Sequence, residues 1–125
     1  MKNICLADGI YIFDCIEFNP RFRYGDVAAD VAFLAMDLDF HGFEALSHGF
    51  SRGCAAGLKD PGLLELLPFY QCYRACVRGK ISALAAGEPE MPPAEQERQQ
   101  DAARAYFALA HRYAREGLQW TPSWW

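Results

Sequence analysis

The sequence is short of the features that usually declare a function. It has no run of about 18 apolar residues, the length a membrane-spanning helix requires. The opening Met1-Lys2-Asn3-Ile4 lacks the apolar stretch and small-residue cleavage site of a secretory leader. Cytoplasmic location without membrane association is therefore expected. Basic charge is scarce too: the formal net charge is -4, which argues against a nucleic-acid binder, since phosphate recognition needs basic surface. No Gly-x-Ser-x-Gly surrounds any serine, so serine hydrolase chemistry has no support. His41, His48 and His111 are scattered without metal-ligand spacing. The five cysteines, Cys5, Cys15, Cys54, Cys72 and Cys76, are odd in number and lack paired CxxC spacing. Buried, reduced thiols are expected; Cys72 and Cys76 share a helix face but have no further soft ligand nearby to complete a zinc site.

What is present is apolar and patterned. A chain of 125 residues with 52% hydrophobic and 22% charged side chains has the means to form one core, unlike a disordered segment. Ile4–Leu6 and Ile10–Phe13 flank Ala7-Asp8-Gly9, and an Asp-Gly turn between β-type residues predicts a hairpin. Asn19-Pro20 and Gly25 then predict a loop. Asp26 caps a helix expected to run to about Phe40, its Val27, Val31, Phe33, Leu34 and Leu38 recurring near helical period. A second helix is expected from Phe43 to about Cys54, burying Phe43, Leu46 and Phe50 and stopped by the Gly53 to Gly57 region. Asp60-Pro61 predicts a short helix through Leu67, broken or kinked at Pro68.

From Pro68 the stripe Phe69, Cys72, Tyr73, Cys76, Val77, Ile81 and Leu84 predicts a central packing helix to about Ala86. Prolines 89, 92 and 93 make residues 88–93 a linker. A last helix over about 94–116 is expected to turn Ala103, Tyr106, Phe107, Ala110 and Tyr113 inward. The fold class is mostly α with a short N-terminal β-hairpin. One domain divides into a hairpin and loop (1–24), a helical core (25–87), the linker (88–93) and a terminal helix and tail (94–125).

The candidate chemistry lies at the hairpin. Asp14 closes its second strand and Asn3 opens its first, so an amide and a carboxylate oxygen are offered together. Hard cations such as Mg²⁺ accept one or two protein oxygens and complete their shell with water and phosphates. Glu17 either adds a second carboxylate or pairs with Arg21 or Arg23; it is kept with Asn3 and Asp14 as a candidate metal ligand. Asp30, one turn after Asp26, is either structural support or a solvated carboxylate. Arg74, Arg78 and Lys80 read as solvated or salt-bridged cations, with Asp37 and Asp39 as partners, ahead of an anion site.

The ordered run Asn3-Ile4-Cys5-Leu6, Ile12-Phe13-Asp14-Cys15-Ile16-Glu17-Phe18-Asn19 and Arg23-x-x-Asp26-Val27-x-x-Asp30-Val31-Ala32-Phe33-Leu34 resembles aminoglycoside phosphotransferase-like kinases of the protein-kinase-like superfamily. The closest likeness is to bacterial proteins in which such a domain precedes a P-loop kinase domain. The resemblance covers roughly residues 3 to 86. It implies a partial C-terminal lobe of a protein-kinase-like fold, Asn3 and Asp14 as the two metal ligands, and ATP, Mg²⁺ and a small-molecule acceptor in the parent enzyme. It also implies what this stretch lacks: the base aspartate would precede Asn3 by five residues, before Met1, and no nucleotide lobe or glycine-rich phosphate loop occurs. An inactive chain with no catalytic residue of its own is expected. An apolar face left without its lobe predicts a homo-oligomer or a bound partner. The reading from another class is a non-catalytic helical binding or oligomerisation module.

Overall fold

A computed structural model describes residues 4–12, 21 and 24–118. Its elements are β1 (Ile4–Leu6), β2 (Ile10–Ile12), α1 (Val27–Phe40), α2 (Glu44–Leu58), α3 (Gly62–Ala86) and α4 (Pro93–Leu118). The expected class, mostly helical with an N-terminal antiparallel hairpin, is the class observed. Ile4 pairs with Ile12, Cys5 with Tyr11 and Leu6 with Ile10. Asp8 sits in the turn and accepts a 2.9 Å hydrogen bond from the Tyr11 hydroxyl, which ties the turn to the second strand. The hairpin packs against none of the four helices, and Leu6, Ile10, Tyr11 and Ile12 are all exposed.

Asp26 caps α1 as expected, its Oδ1 accepting the Ala28 amide at 2.9 Å while Oδ2 takes the Tyr70 hydroxyl at 3.2 Å. The cap therefore also ties α1 to α3. The turn into α2 uses Gly42 at φ +80, a left-handed backbone that suits glycine. α2 departs from expectation in two ways. It runs on through Gly53 and Gly57 to Leu58 and ends at Lys59, itself left-handed at φ 56. Its buried face is Ser47, Ser51 and Ala55, whereas Phe43 and Leu46 are exposed and Phe50 is half-buried. The serines are accommodated because each hydroxyl donates to a backbone carbonyl, Ser47 to Ala35 at 3.0 Å and Ser51 to Ser47 at 2.8 Å. A helix face lined by bonded serines sits close to its neighbour, and apolar periodicity does not register it.

α3 contains the largest correction. Pro68 neither breaks nor separates the segment: one helix runs from Gly62 to Ala86. Its buried side is Leu63, Leu67, Gln71, Ala75, Gly79 and Ser82, and the expected apolar stripe faces away from the core, with Phe69, Tyr73, Ile81 and Leu84 exposed. The reason lies in α4, which returns antiparallel beside α3 and brings large rings of its own. Tyr106 and Tyr113 are buried from the α4 side, so α3 answers with small residues. At Gly79 the fit is close enough that a Cβ there would lie 3.1 Å from the Phe107 ring. Phe107 itself stays half exposed, and Leu109, absent from the expected inward set, is buried.

Two core clusters result. One joins α1, α2 and the first turns of α3 through Ala28, Val31, Ala32, Ala55, Leu63 and Leu67. The other joins α1, α3 and α4 through Met36, Ala75, Tyr106, Leu109, Ala110 and Tyr113, with the Phe40 ring stacked on Tyr106 at 3.8 Å. The linker passes over Gly87 into α4, whose first residue, Pro93, occupies the position where a missing N–H costs nothing. Pro92 O accepts the Glu95 and Gln96 amides at 2.9 and 3.0 Å.

Of the described cysteines none is fully buried: Cys5 and Cys76 are exposed, Cys54 and Cys72 half-buried, and all four are free. Burial pushes the Cys72 thiol up, and neighbouring Cys76 adds to this. No helix among the described residues is long and apolar enough to cross a membrane.

The unequal surroundings of the glycines give a paired test. Gly79→Leu should lower stability by about 1–3 kcal/mol, through overpacking against Phe107. Gly53→Ala, in the interior of α2 with open space around its Cβ, should raise it by about 0.5–1 kcal/mol. Chemical denaturation of the two variants beside the parent chain measures both.

Candidate functional site

The three residues singled out as metal ligands, Asn3, Asp14 and Glu17, lie outside the described residues. The structure does describe the hairpin between the first two, Ile4 to Ile12. Asp30 is exposed on α1. Among the described residues no group of three or more His, Cys, Asp or Glu side chains is arranged to hold a metal ion.

The described polar constellation is elsewhere, where the ends of α1 and α4 meet the start of α2 and the first half of α3. Asp39, in the last turn of α1, accepts from Gln71 Nε2 of α3 at 3.1 Å and from the Tyr113 hydroxyl of α4. Gln71 Nε2 lies 3.5 Å from that same hydroxyl, so one carboxylate gathers two helices. Beside it Arg112 pairs with Glu44 at 2.6 Å and reaches Glu116 at 4.0 Å, its guanidinium 5.7 Å from the Tyr113 ring centre. Asp39, Glu44, Ser47, His48, Gln71 and Arg112 line a cavity of ≈130 Å³. Every described buried side-chain nitrogen or oxygen has a hydrogen-bond partner.

Electrostatics here follow burial. Burial, then the hydrogen bond to the Asp39 carboxylate, pushes the Tyr113 phenol far above its ordinary value of 10.0. The phenol is held as a donor, which removes it as a proton-transfer group near neutral pH. Burial works against the Arg112 cation, but the Glu44 carboxylate outweighs it and the guanidinium ends above its usual value. With its carboxylate, phenol and amide all committed to one another, this cluster is suited to locking helices together.

The cations expected to pair with Asp37 and Asp39 are held differently. Arg74 lies over the Phe33 and Tyr73 rings at 5.3 and 6.0 Å and donates to Ala29 O at 3.4 Å. Arg78 lies 5.5 Å over Tyr106, continuing the stack with Phe40. Asp39 is taken up by Tyr113 and Gln71 instead. The Asp39–Gln71–Tyr113 lock escaped sequence reading because its members are 32 and 42 residues apart; Gln71, polar in the middle of an apolar segment, was the one available sign.

No family model and no solved structure matches the chain. Among curated proteins it is similar to the uncharacterized protein Rv2004c of Mycobacterium tuberculosis strain H37Rv, 40% identical over 94 residues, which cover 68% of this chain and 19% of that protein. The uncharacterized protein Mb2027c of Mycobacterium bovis matches with the same identity and coverage. The chain thus spans about a fifth of the length of the curated relatives it matches.

Tyr113→Phe should cost about 1.5–3 kcal/mol, the worth of a hydrogen bond to a charged group, whereas Arg112→Ala, removing a half-exposed ion pair, should cost about 1 kcal/mol or less. The sign with pH follows from the raised phenol. Unfolded Tyr113 releases its proton near 10.0 while the folded phenol keeps it, so its contribution is full below 10 and falls as pH rises beyond. Urea titrations from pH 8 to 11 should show a steeper alkaline loss in the parent than in Tyr113→Phe.

Proposed function

We propose that the chain is part of the C-terminal lobe of an ATP- and Mg²⁺-dependent small-molecule phosphotransferase, carrying one half of the metal site and inactive alone. The observation that carries this reading is the hairpin. It stands apart from all four helices with Leu6, Ile10 and Ile12 exposed. A lone two-stranded hairpin is marginal in water, and apolar residues on its surface fit a piece that belongs under a second body. The chain's span of about a fifth of its relatives supports the same view.

The candidate ligands suit the ion. Asn3, Asp14 and Glu17 supply only oxygen donors, the kind a hard divalent cation takes, and the register pairs Ile4 with Ile12, next to Asn3 and two residues before Asp14 in sequence. Bound there, Mg²⁺ would neutralise phosphate charge as the phosphoryl group moves. The part left to this chain would be to supply oxygen ligands from the residues that flank the hairpin in sequence and to anchor the chain after them through the Asp26 cap of α1. Because phosphoryl transfer depends on positioning both substrates, two ligands without a base or a nucleotide lobe should give no turnover.

ATP hydrolysis and nucleotide binding, measured on this chain and on one extended at its N-terminus with the preceding part of the M. tuberculosis relative, test the reading. The short chain should match the blank, and the extended chain should bind ATP in an Mg²⁺-dependent way that Asp14→Ala abolishes. Turnover by the short chain, or an extended chain indifferent to ATP, would sink it. Calorimetric titration of the short chain should find Mg²⁺ binding no tighter than the millimolar range; a micromolar constant would mean a more complete site than proposed.

A further inference from the structure

The apolar stripe that α3 turns away from the core is an interaction surface of its own, and its reading does not depend on phosphotransferase ancestry. Leu66, Phe69, Tyr73, Ile81 and Leu84 are between 47% and 67% exposed, with half-buried Val77 completing the row. The helix that bears them runs as one element over Gly62–Ala86, with Pro68 inside it between Leu66 and Phe69. Side chains of this size contribute on the order of 600 Å² of apolar surface per copy, which doubled reaches the lower end of stable protein interfaces.

The occupant is indicated by the spacing. Positions 66, 69, 73, 77, 81 and 84 are separated by 3, 4, 4, 4 and 3 residues, a series that is the same in both chain directions about Ala75. An antiparallel α3 from a second molecule therefore meets every member of the row at its own level. Along the seam Leu66 comes level with Leu84 of the second copy and Tyr73 with Val77. On one flank Phe69 comes within one residue of the level of Lys80, the exposed cation within the stripe, and on the other Tyr70 within one residue of Ile81. Lys80 then lays its stem along a ring while its ammonium stays wet. Such self-complementarity is what a two-fold dimer requires, where each contact occurs twice. We propose that two copies of this chain associate through an antiparallel α3–α3 contact centred on Ala75.

Light scattering on the purified chain should give a dimer at tens of micromolar. Tyr73→Lys and Leu84→Lys, both at exposed positions, should weaken association at least tenfold with helical circular dichroism unchanged. Ile10→Lys on the hairpin and Leu46→Lys on α2 should leave it intact. A benzophenone amino acid in place of Tyr73 should, on illumination of a mixture of isotopically labelled and unlabelled chains, capture the Val77 peptide of the other copy. That readout stands even if a charge variant folds poorly. A monomer at high micromolar concentration would overturn the proposal. So would a dimer that resists both stripe substitutions, one that Ile10→Lys or Leu46→Lys disrupts equally, or a cross-link confined to one chain or mapping to the hairpin or residues 119–125.

Discussion

The close approach of α3 and α4 is the constraint from which the rest of the helical body follows. α4 contributes bulky Tyr106, Leu109 and Tyr113, and α3 contributes Ala75 and Gly79, so the two backbones approach over small side chains and the rings fill the space between. Once α3 is turned to present that small face, its larger residues must point out. The exposed stripe is thus a consequence of how the core is built. α1 completes the arrangement by lending Met36 and Phe40 to the same cluster, the second of these stacked on Tyr106.

Polar residues secure this geometry at both ends of α1. At its start the Asp26 carboxylate holds its own helix's amide and the Tyr70 hydroxyl of α3; at its end Asp39 holds Gln71 of α3 and Tyr113 of α4. Removing one donor from Asp39 leaves a partly buried carboxylate under-satisfied, which is more costly than the bond is worth in isolation. The hairpin shares in none of this. It is tied to itself by its ladder and by the Asp8–Tyr11 bond, and its candidate function lies in what it presents.

Two surfaces follow, of different kinds. The hairpin Ile4–Ile12 presents an exposed apolar ladder, whereas α3 offers a long apolar row with a symmetric spacing. The occupant proposed for the first is a larger body, and for the second another copy of the same chain. They occupy different elements, so each stands or falls separately.

The hairpin, the Asp26 cap and the order of elements were legible in the sequence because each depends on neighbours in the chain: an Asp-Gly turn, a carboxylate two residues from the amide it accepts, prolines at 89, 92 and 93. Helical period likewise revealed that α3 and α4 are helices. It did not reveal which way α3 faces, since the choice between its apolar and small faces depends on ring volumes carried by α4 some 30 residues further on. Nor did it show α2 continuing through Gly53 and Gly57, where the packing of Cys54 and Ala55 between them offsets poor propensity. Local geometry is written in local sequence, and the identity of the buried face is decided only when two distant helices compete to fill one volume.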